Sequence, residues 1–175
     1  MKKTTLIFSL FIILLSLQKM AAQQQKFNSE NETIKISKTL DDLNLFAAKA
    51  DFNGYFNLFA ENSTFIGTDA TEVWNKKEFM TWAEPFFKSK KTWDFTSLKR
   101  NITFSSDGKL AWFDELLNTQ MKICRGSGVL EKINGTWKIR QYVLSMTIPN
   151  DISNEVTKLK SPIEDQLIQK LKSQK

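Results

Sequence analysis

Two adjacent acids and one guanidinium are the side chains best placed to do chemistry. Asp114 and Glu115 stand side by side in the stretch Leu110 to Gln120, and Arg125 follows just beyond it. Neighbours on a strand point to opposite faces, so only one of the two acids can point inward. Asp114 shares its face with Trp112 and Leu116, and Glu115 shares the other with Phe113 and Leu117. A carboxylate buried in such surroundings needs a partner, and Arg125 on the next strand is the natural candidate. Two readings stay open: an ion pair that stabilises the sheet, or a ligand-binding or catalytic Asp114, since ionisable groups in pockets are functional candidates.

Composition removes many alternatives. The chain has 175 residues and no His. No Ser-His-Asp or Cys-His nucleophile, His-liganded metal site or imidazole acid–base pair can be built from it. A single Cys, Cys124, excludes an internal disulfide and a thiolate-rich zinc site, and it reads as a small apolar residue in a strand. No metal or organic cofactor is expected. Five Trp and fourteen Phe supply aromatic surface. Trp74 and Trp93 flank one helix, and with Trp112 they are candidate walls for a flat apolar ligand. Trp137 and Trp82 read as core.

The formal charge is +6, yet no basic stripe runs through the central part of the chain, so nucleic acid is not an expected partner. The N-terminus carries its own signal. Lys2-Lys3, an apolar run from Leu6 to Leu17, and Met20-Ala21-Ala22 match a secretory signal peptide over residues 1–22, cleaved near Ala22. The run is shorter than the ~20 residues of a membrane span. A periplasmic or secreted bacterial protein, with no stable membrane anchor after cleavage, is expected.

Residues 23–37 are polar and aperiodic and read as a flexible linker. Thr39 to Asp42 matches a capping box, with Leu40, Leu43, Phe46 and Ala47 at helical spacing after it. Asp51 to Gly54 interrupts, and Tyr55, Phe56 and Phe59 resume as a second short helix. Ser63 to Gly67 reads as a brief strand. Asn75 and Glu78 form another capping box before Phe79, Trp82, Ala83 and Phe86, one face of a helix in which Pro85 marks a kink or the last turn. Period two then takes over. Four antiparallel strands are expected from Trp93 to Ile148, with hairpin turns at Asp107-Gly108 and Asn134-Gly135. Gly126 and Gly128 inside the third suggest a bulge or sharp bend. A curved sheet wrapped around about three helices is an α+β cone. Residues 151–160 read as a linker, and Ser161 to Glu164 as the capping box of a short amphipathic helix.

This order of elements, with Phe65-Ile-Gly-Thr-Asp-Ala70, Glu72-Val-Trp74, Phe79 to Pro85, Asp107 to Glu115, Arg125 to Leu130 and Gly135 to Ile139, resembles the SnoaL-like branch of the nuclear transport factor 2-like superfamily over residues 38–150. The resemblance implies a cone-shaped, cystatin-like α+β barrel, an apolar pocket between sheet and helices, and a homodimer through the outer sheet face. It fixes a pocket but not a reaction, because members include isomerases, dehydratases, hydrolases, cyclases and non-catalytic modules. Where such relatives carry a His on the last strand, this chain has Gln141, which can hydrogen-bond but cannot take a proton near neutral pH. The carboxylate base of an isomerase falls at or near Gly67, with Asp69 just beyond. An Asp-Arg-Asp cluster that activates water would draw on Asp69, Asp114 and Arg125. The expected function is therefore binding of a small hydrophobic or aromatic molecule, anchored by Asp114, Arg125 and Gln141 between Trp74, Trp93 and Trp112. A cofactor-free enzyme for a carbonyl compound or epoxide, with Asp114 or Asp69 as base, is the alternative. A protein-interaction module with a filled cone is the third reading.

Overall fold

A computed structural model describes residues 27–174, so the signal-peptide reading of residues 1–22 lies outside the described part. The elements are α1 (Ser29–Ala48), α2 (Phe52–Asn57), β1 (Phe59–Ile66), β2 (Val73–Asn75), α3 (Lys76–Lys88), β3 (Thr96–Phe104), β4 (Leu110–Thr119), β5 (Lys122–Ile133), β6 (Thr136–Met146), a 3-10 turn (Asn150–Ile152) and α4 (Ser153–Lys172). One six-stranded sheet runs in the order β2-β1-β6-β5-β4-β3. All pairings are antiparallel except β1 with β6, so the sheet is mixed. It is open and curls around α1, α2 and α3, an α+β architecture as expected.

The four long strands and both hairpin turns fall where period two and the turn residues put them. Gly108, Asn134 and Gly135 all take positive φ, the left-handed backbone that tight turns require. The Asn75–Glu78 capping box closes reciprocally at the start of α3, and Pro85 sits in its last turn. The glycines of β5 serve close approach. A methyl group on Gly126 would strike the Tyr142 hydroxyl, and one on Gly128 would strike the Gln141 backbone carbonyl. The pairing of β5 with β6 shifts register immediately after, between Val129 and Leu130.

Two helix starts differ from expectation. α1 begins at Ser29, capped by the Asn28 side chain, where a linker was expected to run to residue 37. Thr39 is not a cap: its hydroxyl donates to the Lys35 carbonyl one turn back, the bond a mid-helix Thr makes. Likewise, α4 runs unbroken from Ser153 through Pro162, and Ser161 donates to the Thr157 carbonyl. α4 buries none of its side chains. No helix among the described residues is long and apolar enough to cross a membrane.

The polar-looking first turns of α1 hide two core positions. Ile36 is fully buried, and Glu32 is buried against the sheet. Glu32 accepts from the Trp137 indole N–H at 2.6 Å and pairs with Lys132 and Lys35 at 2.8 Å each. Burial alone would raise its carboxyl, but the hydrogen bonds from Lys132, Lys35 and Trp137 win and hold it down from 4.5 to about 2. A depressed carboxyl contributes stability that is complete above the unfolded value and is lost as pH falls towards the folded one. Urea midpoints for the wild type should therefore decline between pH 4.5 and 2 more steeply than those of Glu32→Gln. Identical acid slopes would show that the α1 staple contributes nothing there.

Candidate functional site

The inward face of the sheet and the helices enclose a cavity of about 250 Å³. Its walls are aromatic. Trp74 of β2 stacks on Phe79 with an interplanar angle of 8° and lies 4.9 Å from Trp82 of α3. Trp93 reaches in from the segment before β3, 6.2 Å from Trp82. Phe65 of β1 stacks between Phe79, at 4.0 Å, and Tyr142 of β6, at 5.7 Å. Tyr55 of α2 also lines the cavity, while Leu43, Met121 and Leu144 fill the aliphatic part. Polar atoms are few: the two phenols, Asn44, Gln120 and Thr68, with Glu72 as the one acidic side chain on the wall among the described residues.

Behind Tyr142 lies the most demanding electrostatic feature of the fold. Glu115 is 1% exposed. Its Oε2 accepts from Arg100 Nε at 2.9 Å, from Arg100 Nη2 at 2.7 Å and from Ser97 at 3.1 Å. Tyr142 donates its hydroxyl to the Glu115 Oε1 at 3.4 Å. The third nitrogen of Arg100 reaches α1, donating to the Ser37 carbonyl at 3.1 Å and pairing with Asp41 at 2.9 Å. Burial pushes the Glu115 carboxyl up, and Arg100 with its hydrogen bonds takes back only part of that rise. Burial likewise pushes the Tyr142 phenol well above its usual range, and the neighbouring Glu115 charge adds to the rise. Burial raises Tyr55 too. Both tyrosines are therefore neutral hydrogen-bonding groups in this cavity.

The structure divides the expected site residues between two faces. Trp74 and Trp93 line the cavity. Trp112, 49% exposed, points to the outer face. Asp114 and Arg125 do pair, at 3.0 Å, but on that same outer face, where Asn101 also donates to Asp114. Gln141 pairs across the sheet with Val129 and Thr64, also on the outer side, and is exposed. The reason is register: β4 sends Ala111, Phe113, Glu115 and Leu117 inward, so Trp112 and Asp114 must face out. Asp69 is exposed in the β1–β2 connection, where hydrogen bonds from the Thr71 hydroxyl and N–H hold its carboxyl below the usual range. Its N–H donates to Glu72 at 3.2 Å. Trp82, expected in the core, is 39% exposed at the cavity rim. Trp137 is core.

Sequence reasoning passed over Tyr55, Tyr142, Glu72 and the Arg100–Glu115 pair. One signal was available. Arg100 lies on a strand whose hairpin turn sets it opposite Glu115, an opposite-charge cross-strand pair. Among the described residues, no group of three or more His, Cys, Asp or Glu side chains is placed to hold a metal ion.

A SnoaL-like domain model matches residues 36–149, well over half of the chain. The chain belongs to the SnoaL-like family. Solved structures agree on the fold. An NTF2-like protein of unknown function from Pseudomonas putida KT2440 is similar at 12% identity, over 71% of this chain and 92% of its own, with a TM-score of 0.60. A candidate dehydratase of the NTF2-like family from Streptomyces avermitilis is similar at 10% identity, over 70% of this chain and 100% of its own, with a TM-score of 0.61. A domain of unknown function with a cystatin-like fold from Nostoc punctiforme is similar at 13% identity, over 85% of this chain and 98% of its own, with a TM-score of 0.59. No curated protein matches the sequence. At such identities the likeness carries the fold alone.

The two Arg–acid pairs should differ sharply in worth. Arg100→Met strands a buried carboxylate and should cost roughly 3–5 kcal/mol in urea unfolding. Arg125→Ala opens a half-exposed pair and should cost no more than about 1 kcal/mol. Similar losses for both would contradict the burial argument.

Proposed function

We propose that this SnoaL-like protein binds a small, flat, largely apolar molecule in the cavity between sheet and helices. The observation that carries the reading is the cavity itself: about 250 Å³ of space, walled by Trp74, Trp82 and Trp93. Tyr55, Tyr142 and Asn44 are the polar groups that would orient a ligand. A filled cone is disfavoured by that open volume. The catalytic alternative loses Asp114, which faces away, and Asp69, which is exposed. It would have to use Glu72 as base and Tyr55 as hydrogen-bond donor, and it predicts that Glu72→Gln abolishes turnover while ligand still binds.

The outer sheet face supports a homodimer. Trp112 of β4 lies opposite Val129 of β5 on that face, Leu110 and Leu116 share it, and Trp112 and Leu110 are exposed there. Exposed large apolar side chains on a sheet face suit an interface, and polar groups beside them suit its rim. The Lys2-Lys3 start, the Leu6 to Leu17 run and Ala21-Ala22 support export with cleavage near Ala22.

Binding is expected to appear as quenched tryptophan emission when flat aromatic compounds are titrated in. Met121→Trp, which fills the aliphatic end of the cavity, should abolish the quenching and leave the circular dichroism spectrum unchanged. Quenching that survives in Met121→Trp would place the ligand elsewhere. Native mass spectrometry of protein recovered from the exported fraction should show a dimer of chains beginning near Gln23. Trp112→Glu should shift it to monomer, and a monomeric wild type would overturn the dimer.

A further inference from the structure

The charge on the cavity wall has one sign. Among the described residues, neither Lys nor Arg lines the cavity, and Glu72 does. Its carboxylate is held over the backbone of Gly67, where a methyl group would collide with Oε2. The only hydrogen bond it accepts there is from the Asp69 N–H, and no Lys or Arg of the described residues forms a salt bridge with it. Among the described residues, Glu72 therefore has no side-chain counter-ion. The indole rings of Trp74, Trp82 and Trp93 line the same space, and aromatic π systems attract cations. Asp69, exposed and next in sequence to the lining residue Thr68, carries the same sign, and hydrogen bonds from Thr71 hold its carboxyl below the usual range.

We propose that the cavity selects an organic cation: an ammonium group on a compact aromatic or aliphatic body, seated against Trp74, Trp82 and Trp93 with Glu72 as its counter-charge. The proposal rests on the small-molecule reading above and narrows its ligand class. A carboxylate or phosphate ligand would meet Glu72 with like charge and find no basic side chain to compensate, so anions are excluded from the same space. A neutral ligand of equal shape would keep the apolar contact and lose both the ion pair and the cation–π attraction.

Three probes of one size separate these terms: benzyltrimethylammonium, its uncharged carbon isostere neopentylbenzene, and phenylacetate. Affinities are read by tryptophan fluorescence and checked by calorimetry on the wild-type protein. The cation is expected to bind at least roughly tenfold more tightly than the isostere, with phenylacetate weakest. Glu72→Gln should shrink that preference and its salt dependence while leaving the isostere's affinity unchanged. Equal binding of cation and isostere would overturn the cation proposal and leave the small-molecule reading standing. Binding of none of the three, with a wild-type circular dichroism spectrum, would overturn both. A preference that survives in Glu72→Gln would assign it to the tryptophans alone and overturn the role of Glu72.

Discussion

One buried ion pair decides which way the sheet faces. Glu115 is 1% exposed, and its carboxylate is satisfied only because Arg100 on β3 and Ser97 beside it are set opposite β4 in register. A slip of one residue would turn Asp114 inward and leave Glu115 in solvent, and it would exchange Phe113 and Leu117 for Trp112 and Leu116 in the core. Arg100 also reaches the Ser37 carbonyl and Asp41, so the pair fixes the sheet to α1. Such a pair is costly to desolvate, and its value lies more in the uniqueness of the arrangement than in net stability.

The cavity inherits its floor from that pair. Tyr142 reaches towards Glu115 through the space that Gly126 leaves open, and its ring stacks parallel to Phe65. From Phe65 the stack continues through Phe79 and Trp74 to Trp82, joining the rigid centre of the sheet to the rim. The floor is thus a hydrogen-bonded phenol, the walls are largely aromatic, and Glu72 is the one acidic side chain on the lining among the described residues. Such an arrangement suits a ligand with one polar end and an apolar body.

The fold was legible because its signals are local. Alternation, the Asp107-Gly108 and Asn134-Gly135 turns and the Asn75 cap each depend on a few neighbouring residues. The site was less legible because its key distinction is a parity. Both faces of β4 are apolar with one acid each, since one face packs on helices and the other stays apolar on the outside. Nothing within β4 says which acid is inside. The decisive partner is Arg100, on the preceding strand, across the β3–β4 hairpin and past a register irregularity between Ser97 and Lys99. The helix starts misread at Thr39 and Ser161 share another cause. A hydroxyl three residues before an acid or one residue before a Pro suits a cap, but it also suits a bond to the carbonyl one turn back, and here the helix continues.

The five tryptophans offer a direct test of where a ligand sits. Trp74, Trp82 and Trp93 line the cavity, Trp112 lies on the outer face and Trp137 lies in the core against Glu32. With 5-fluorotryptophan incorporated and each signal assigned by substitution, fluorine NMR reads all five at once. On addition of a small-molecule extract from the source cells, the signals of Trp74, Trp82 and Trp93 should shift together while Trp112 and Trp137 stay fixed. Shifts confined to Trp112, or no shift at any of the five, would contradict a ligand-binding cavity.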